Sequence, residues 1–319
     1  MLSRVGEAIY WLARYIERGE DVARLLDVEF HALLDSPDAL HEDTWRDLIR
    51  ATGKEELFHE HFEGLTSAAV AEFLLWHPAN PDAVVTCVER ARENARSVRE
   101  QISSEMWERI NRLYLAVRAA DPQATIAVPH TFFVTLRDAS HALQGTVEAT
   151  LTRGEAYRFL RLGASLERAD MTARVVCVKA GHLELGADTE PRLGALLRSC
   201  GAFEAFRRHP GARFDHDSVT AFLVLEESFP RSVRACLSSA RDTVTTIAER
   251  GDPPTRMLTR LLAELELFEL SPHGGTALRE LLERVVAGIA AAGEEIGHAF
   301  FTTHTIASAP MAQAAQQQQ

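Results

Sequence analysis

Residues 14–28 read RYIERGEDVARLLDV, and residues 164–178 read ASLERADMTARVVCV. Superposed at an offset of 150, Glu17, Arg18, Ala23 and Arg24 recur as Glu167, Arg168, Ala173 and Arg174, and Glu20 is replaced by Asp170. The register continues beyond this stretch. FLLWHPANPDAVVTCVERAR at 73–92 aligns with FLVLEESFPRSVRACLSSAR at 222–241, at an offset of 149. Between these blocks, Leu48, Arg50, Gly53, Glu56, Phe58 and His61 match Leu196, Arg198, Gly201, Glu204, Phe206 and His209 at an offset of 148. Three blocks in nearly one register point to internal duplication. Two copies of one unit present the same apolar surface to each other, so they are expected to pack about a pseudo-twofold axis.

The repeated unit reads as helical. Val5, Ile9, Leu12, Ile16 and Ala23 recur at helical spacing near the start, as do Leu258, Leu261, Leu262, Leu265 and Phe268 near the end, while alternating strand patterns are almost absent. Breaks fall at Ser36-Pro37-Asp38, His77-Pro78-Ala79-Asn80-Pro81, Gly251-Asp252-Pro253-Pro254 and Ser271-Pro272-His273-Gly274-Gly275. The expectation is an all-α helical bundle of about a dozen helices. Residues 1–120 form the first unit, 121–158 a connector with the start of the second unit, and 159–307 the second unit. Within the connector, Asp121 to His130 carries Pro122 and Pro129. The tail 308–319 is low in complexity, has no apolar face to bury and is expected to be disordered.

At 319 residues and 46% hydrophobic content the chain is long enough for one large core or two ordinary ones. A formal net charge of −12 argues against nucleic acid as a partner. Cys87, Cys177, Cys200 and Cys236 are scattered and form no CxxC pair, so buried free thiols are expected. The N-terminus carries a charge every few residues, unlike a signal peptide, and no later stretch is apolar enough to span a bilayer. The expected location is the cytoplasm.

On a helix, Glu17 and Arg24 fall within about 20° of each other, flanked by Tyr10, Arg14, Glu20 and Asp21. Trp11, Leu12, Tyr15, Ile16, Val22, Ala23 and Leu26 take the other side, so the first copy alone reads as an amphipathic helix with a solvated polar face. The second copy changes this. Tyr10, Arg14 and Asp21 align with Leu160, Ala164 and Met171, which leaves Glu167 and Arg174 in apolar surroundings. Interior charges persist only when paired, so both are expected to meet partners on another helix. Two roles fit: a structural network registering the two copies, which is favoured, or a pocket for an amino acid or peptide, whose carboxylate suits arginine and whose amine suits glutamate.

Arg92, Arg96 and Arg99 lie at i, i+4 and i+7, near Glu89, Glu93, Glu100 and Trp107. Such a stripe is a surface laced with salt bridges, an anion grip, or a docking face for an acidic partner. No P-loop, dinucleotide turn, GxSxG elbow or HExxH is present. Glu56–His59 and Glu295–His298 have the spacing used in di-metal carboxylate bundles, but they occupy different places in the repeat, so no metal and no cofactor are expected.

The opening LSRVGEAIYWLARYIERGEDVARLLDV, then ARENARSVREQISSEMWERIN at 91–111 and FLRLGASLERADMTAR at 159–174, resemble the hallmark segments of the alpha-E family. Gly19 departs from the alanine that the family more often carries. The resemblance implies an all-α domain working beside, or fused to, circularly permuted ATP-grasp ligases and transglutaminase-like proteins. Peptide or amide-bond chemistry is the implied setting. The residues carried forward as ligand-binding or junction candidates are Arg4, Tyr10, Arg14, Glu17, Arg18, Glu20, Arg24, Arg92, Arg96, Glu167, Arg168, Asp170 and Arg174. Three readings stay open: a helical partner or substrate-presenting module for such a ligase, an enzyme using Glu17 or Glu167 as acid/base, and a helical di-metal oxidase.

Overall fold

The computed structural model describes residues 1–35, 41–183, 189–248, 252–268 and 275–302. The tail and the breaks at 36–38, 251 and 271–274 lie outside them. Regular structure among the described residues is helical throughout. Two long helices organise the rest: α1 (Ser3–Asp35) and, after seven intervening helices, α9 (Glu155–Leu183). Between them run α2 (His41–Ala51), α3 (Glu55–His61), α4 (Ser67–Leu75), α5 (Val84–Ser97), α6 (Ser104–Ala119), α7 (Pro122–Ala127) and α8 (His130–Thr150). After α9 come α10 (Thr189–Ser199), α11 (Phe203–Arg208), α12 (His216–Leu225), α13 (Val233–Ile247), α14 (Pro253–Glu266) and α15 (Gly275–Ile296).

Local chemistry sets many of the boundaries. Ser103, Asp215 and Ser232 accept from Met106, Ser218 and Ala235 backbone N–H groups and so start α6, α12 and α13. The expected connector is itself partly helical: Asp121 caps α7 and Pro122 opens it. α2 and α10 end alike. Gly53 (φ 67°) and Gly201 (φ 63°) turn left-handed, and the next residues, Lys54 and Ala202, donate back to Ile49 and Leu197 carbonyls.

α1 packs on α5 and α8, and α9 packs on α13 and α15. Likewise α5 meets α6, α6 meets α8, α13 meets α14 and α14 meets α15. α2 reaches across to α9 while α10 reaches across to α1. One continuous apolar core runs through both sets of helices. α15 closes in a π-helical turn, Gly297–Phe301, whose Phe301 ring lies 5.5 Å from Tyr10 and 5.6 Å from Phe159. No helix among the described residues is long and apolar enough to cross a membrane.

Candidate functional site

The site is the contact between α1 and α9. Five polar pairs along it join residues whose sequence separation stays between 149 and 154, from Met1 with Glu155 at one end to Glu29 with Lys179 at the other. Antiparallel helices would change that separation by two at every step, so α1 and α9 run parallel and in register. They approach most closely at Ala13 and Gly163, which are aligned positions. A Cβ on Gly163 would sit 2.4 Å from the Tyr10 carbonyl oxygen and 3.2 Å from Ala13 Cβ.

Next to this crossing, the Glu-Arg dipeptides of the two helices exchange partners. Arg18 donates from Nε to Glu167 Oε1 at 2.6 Å, and Arg168 donates from Nε to Glu17 Oε2 at 2.8 Å. Glu17 and Glu167 are 2% and 1% exposed, so these bonds form out of water, where an unpaired carboxylate would be costly.

Around Glu167 the remaining partner is Arg14, which donates from Nε to Oε2 at 2.6 Å and from Nη1 to the Tyr10 hydroxyl at 3.0 Å. Arg14 also lies over the Tyr10 and Trp11 rings. On the other side Arg18 reaches Asp82 at 2.5 Å, and Asp82 holds Lys54 at 2.8 Å. Arg18, Lys54, Asp82, Glu167 and Arg174 line a small polar cavity of about 160 Å³. Burial alone would raise the Glu167 carboxyl, but Arg14 and Arg18 outweigh it and hold it below the usual range.

Around Glu17 the partners differ. Gln144 of α8 donates to Oε1 at 2.8 Å. Arg231 stands 3.7 Å from Oε2 and binds Glu20 at 2.5 Å and Asp21 at 2.8 Å. Glu20 also receives a short bond from Arg24. Burial raises the Glu20 carboxyl, yet Arg231 and Arg24 bring it down to about 2. Asp21 goes the other way. Burial pushes it up to about 8 with the help of Glu20 and Glu17, and its Oδ2 has no hydrogen-bond partner among the described residues.

Each glutamate therefore accepts three close hydrogen bonds from fixed donors. A general base needs a proton affinity near the working pH, and Glu167, held below the usual carboxylate range by Arg14 and Arg18, does not have one. The polar face of α1, which would read as solvated from the first copy alone, is the buried seam that the second copy indicated: Tyr10, Arg14, Glu17, Glu20 and Asp21 are all buried. The burial has a simple cause, since α1 is enclosed by α5, α8, α9 and α10.

The other sequence candidates separate. Arg174 pairs with Asp170 of its own helix at 2.8 Å rather than with another helix. Its guanidinium instead covers Gly53, as that of Arg24 covers Gly201 across the pair. Burial dominates at Asp170 and pushes its carboxyl up despite Arg174. Arg4 is exposed on a groove beside Trp11 and Tyr15, away from the seam. Arg92, Arg96 and Arg99 do not make one helical stripe, because α5 ends at Ser97 and Arg99 sits in a 3₁₀ turn. Arg92 bonds Asn111 and Glu93, Arg96 bonds Glu93, and Arg92 and Arg99 stack on Trp107. This is the surface network among the readings offered for the stripe.

Neither Glu56–His59 nor Glu295–His298 joins a cluster of metal-type ligands among the described residues. Cys87, Cys200 and Cys236 are buried and their thiols pushed up to about 12, whereas Cys177 is half-buried. Sequence reasoning missed Asp82, Arg231, Lys54 and Gln144. A signal for two of them was present: Pro81-Asp82 and Pro230-Arg231 are aligned dipeptides with opposite charge.

Over 94% of its length the chain is 24% identical to uncharacterized proteins of Mycobacterium bovis and of two strains of Mycobacterium tuberculosis. The match takes in only 36% of each of those proteins, so the chain spans about a third of their length. No solved structure matches. The model of one family, described as a predicted alpha-helical domain with a conserved ER motif, matches residues 1–301. With Glu-Arg dipeptides at 17–18 and 167–168 exchanging partners at its centre, the chain belongs to the Alpha-E family.

Proposed function

We propose that this chain is a helical partner or substrate-presenting module of an ATP-grasp-type amide or peptide ligase system, acting in the cytoplasm. A transglutaminase-like protein is the other partner the family resemblance implies. The observation that carries the reading is the pairing of the buried Glu17 and Glu167 with fixed arginines. Charges that hold a scaffold together are not free for acid/base chemistry, so the activity belongs to a partner. The relatives support this reading through their length, because about two-thirds of each lies outside the match and leaves room for a second domain in cis.

We further infer that the scaffold is two copies of one unit about a pseudo-twofold axis running along α1 and α9. The in-register parallel pair supports it, and so does the packing of α5 and α8 on α1, which matches that of α13 and α15 on α9. On this reading α8 closes the first unit as α15 closes the second.

The test is to co-express the chain with a cognate circularly permuted ATP-grasp ligase. A complex on gel filtration, with amide product rising when the chain is present, is the expected result. Separate elution with unchanged product would sink the proposal.

A further inference from the structure

The seam leaves one sizeable cavity, of about 470 Å³, between α1, α6, α8, α9 and α13. Its lining differs between the two copies. Tyr10, Trp11, Arg14 and Tyr15 of α1 align with Leu160, Arg161, Ala164 and Ser165 of α9. On the Glu167 side the larger set takes up the space next to the seam and leaves only an outer groove beside Trp11 and Tyr15: Tyr10 and Trp11 pack edge to face, Trp11 lies 5.6 Å from Tyr15, and Arg14 spans Tyr10 and Glu167. On the Glu17 side the smaller set leaves that space empty, and Leu160, Arg161, Ala164 and Ser165 all line it.

The walls are apolar, with Leu12, Ile16, Met106, Leu143 and Leu160 among them. The polar groups of the lining are unbalanced toward donors. Glu17 accepts from Arg168 and Gln144, and Glu148 accepts from Tyr157 and Arg153, so both carboxylates are occupied. The guanidinium groups are not. Arg161 uses only Nε, on Ser239 at 3.1 Å, and Arg168 uses Nε and Nη2 on Glu17. Among the described residues, both Nη groups of Arg161 and Nη1 of Arg168 have no protein acceptor. Arg161 is exposed, so the cavity reaches solvent on its side. An apolar chamber of this size with surplus guanidinium donors suits a small molecule with an apolar body and one anionic end.

We propose that this cavity binds an apolar carboxylic acid, its carboxylate on Arg161 and Arg168 and its body among the leucines. The argument stands on the cavity itself. It rests on the ligase reading only for the use of the acid, since amide ligation consumes a carboxylate. The two readings fail separately, because binding is measured on this chain alone.

The probe is 4-phenylbutyrate, compared with its neutral amide by isothermal titration calorimetry on the full chain. The acid is expected to bind about tenfold or more tighter than the amide, as a charge-assisted hydrogen bond predicts. Arg161→Gln should remove that preference while leaving amide binding in place. Ala164→Arg supplies the side chain that fills the other half and should abolish binding of both. Arg161→Gln lies on the surface and keeps the test open if Ala164→Arg fails to fold. No binding of the acid, equal binding of acid and amide, or an Arg161→Gln variant that keeps the preference would each overturn the proposal.

Discussion

Glu17 and Glu167 occupy the same place in aligned helices and take the same first bond, from the arginine of the opposite Glu-Arg pair, yet their surroundings were completed in different ways. Glu167 received Arg14 from along α1, stacked on aromatic rings. Glu17 has Arg231, from the turn before α13, where its own half carries Asp82. Each completion closes one side of its glutamate and leaves the other side open. The polar cavity beside Arg18 lies where no Arg231 intrudes, and the apolar cavity beside Arg168 lies where no Arg14 intrudes. The central exchange of Glu-Arg bonds is the same in both halves, while the flanks differ, and the two cavities differ with them.

The sharpest way to break the comparison is to delete each glutamate. Glu167→Ala encloses Arg14 with only the Tyr10 hydroxyl for company and should cost about 3–5 kcal/mol in urea denaturation. Glu17→Ala should cost less, because Arg168 lines an open cavity and Arg231 keeps Glu20 and Asp21. Equal losses would mean that the two surroundings do not differ energetically. The crossing point comes next. Gly163→Ala forces the helices apart against the Tyr10 carbonyl and should lose about 1–3 kcal/mol, read as a lowered Tm.

The acid response separates the residues of the Glu17 side. Glu20, lowered from 4.5 to about 2, contributes stability that is full above pH 4.5 and is lost as pH falls toward 2. Asp21, raised from 3.8 to about 8, acts in the opposite sense: its cost is absent below pH 3.8 and grows as pH climbs to about 8. Glu20→Gln should therefore flatten the acid limb of the stability profile, and Asp21→Asn the limb between about pH 4 and 8. The smallest effect is a gain. Gly19 aligns with Ala169, and a Cβ there would meet only Cys87 Cβ at 3.8 Å. Gly19→Ala should raise stability by about 0.5–1 kcal/mol.

Much of the architecture was legible from periodicity: the helical class and the break at 77–81 follow from local rules that operate over a few residues. The interior position of Glu167 was legible too, because Ala164 and Met171 left it no polar company. The matching face of α1 was legible only through its alignment with α9, since Tyr10, Arg14, Glu20 and Asp21 give a polar stripe whether it faces water or another charged helix. Periodicity records amphipathicity and is blind to what lies opposite. Arg231 and Asp82 escaped for a related reason: they enter the seam from turns about 210 and 64 residues away from their partners, and no spacing rule reaches that far.

The parallel pairing of α1 and α9 has a consequence for biosynthesis. Antiparallel helices can zip up across a short turn, but a parallel pair in register about 150 residues apart must wait for the whole intervening chain. A nascent chain holding α1 through α8 already carries Glu17, Glu20 and Asp21 without Arg168 or Arg231. Those carboxylates stay hydrated until α9 and the turn before α13 have left the ribosome, so the central seam closes only after Arg168 and Arg231 have been made.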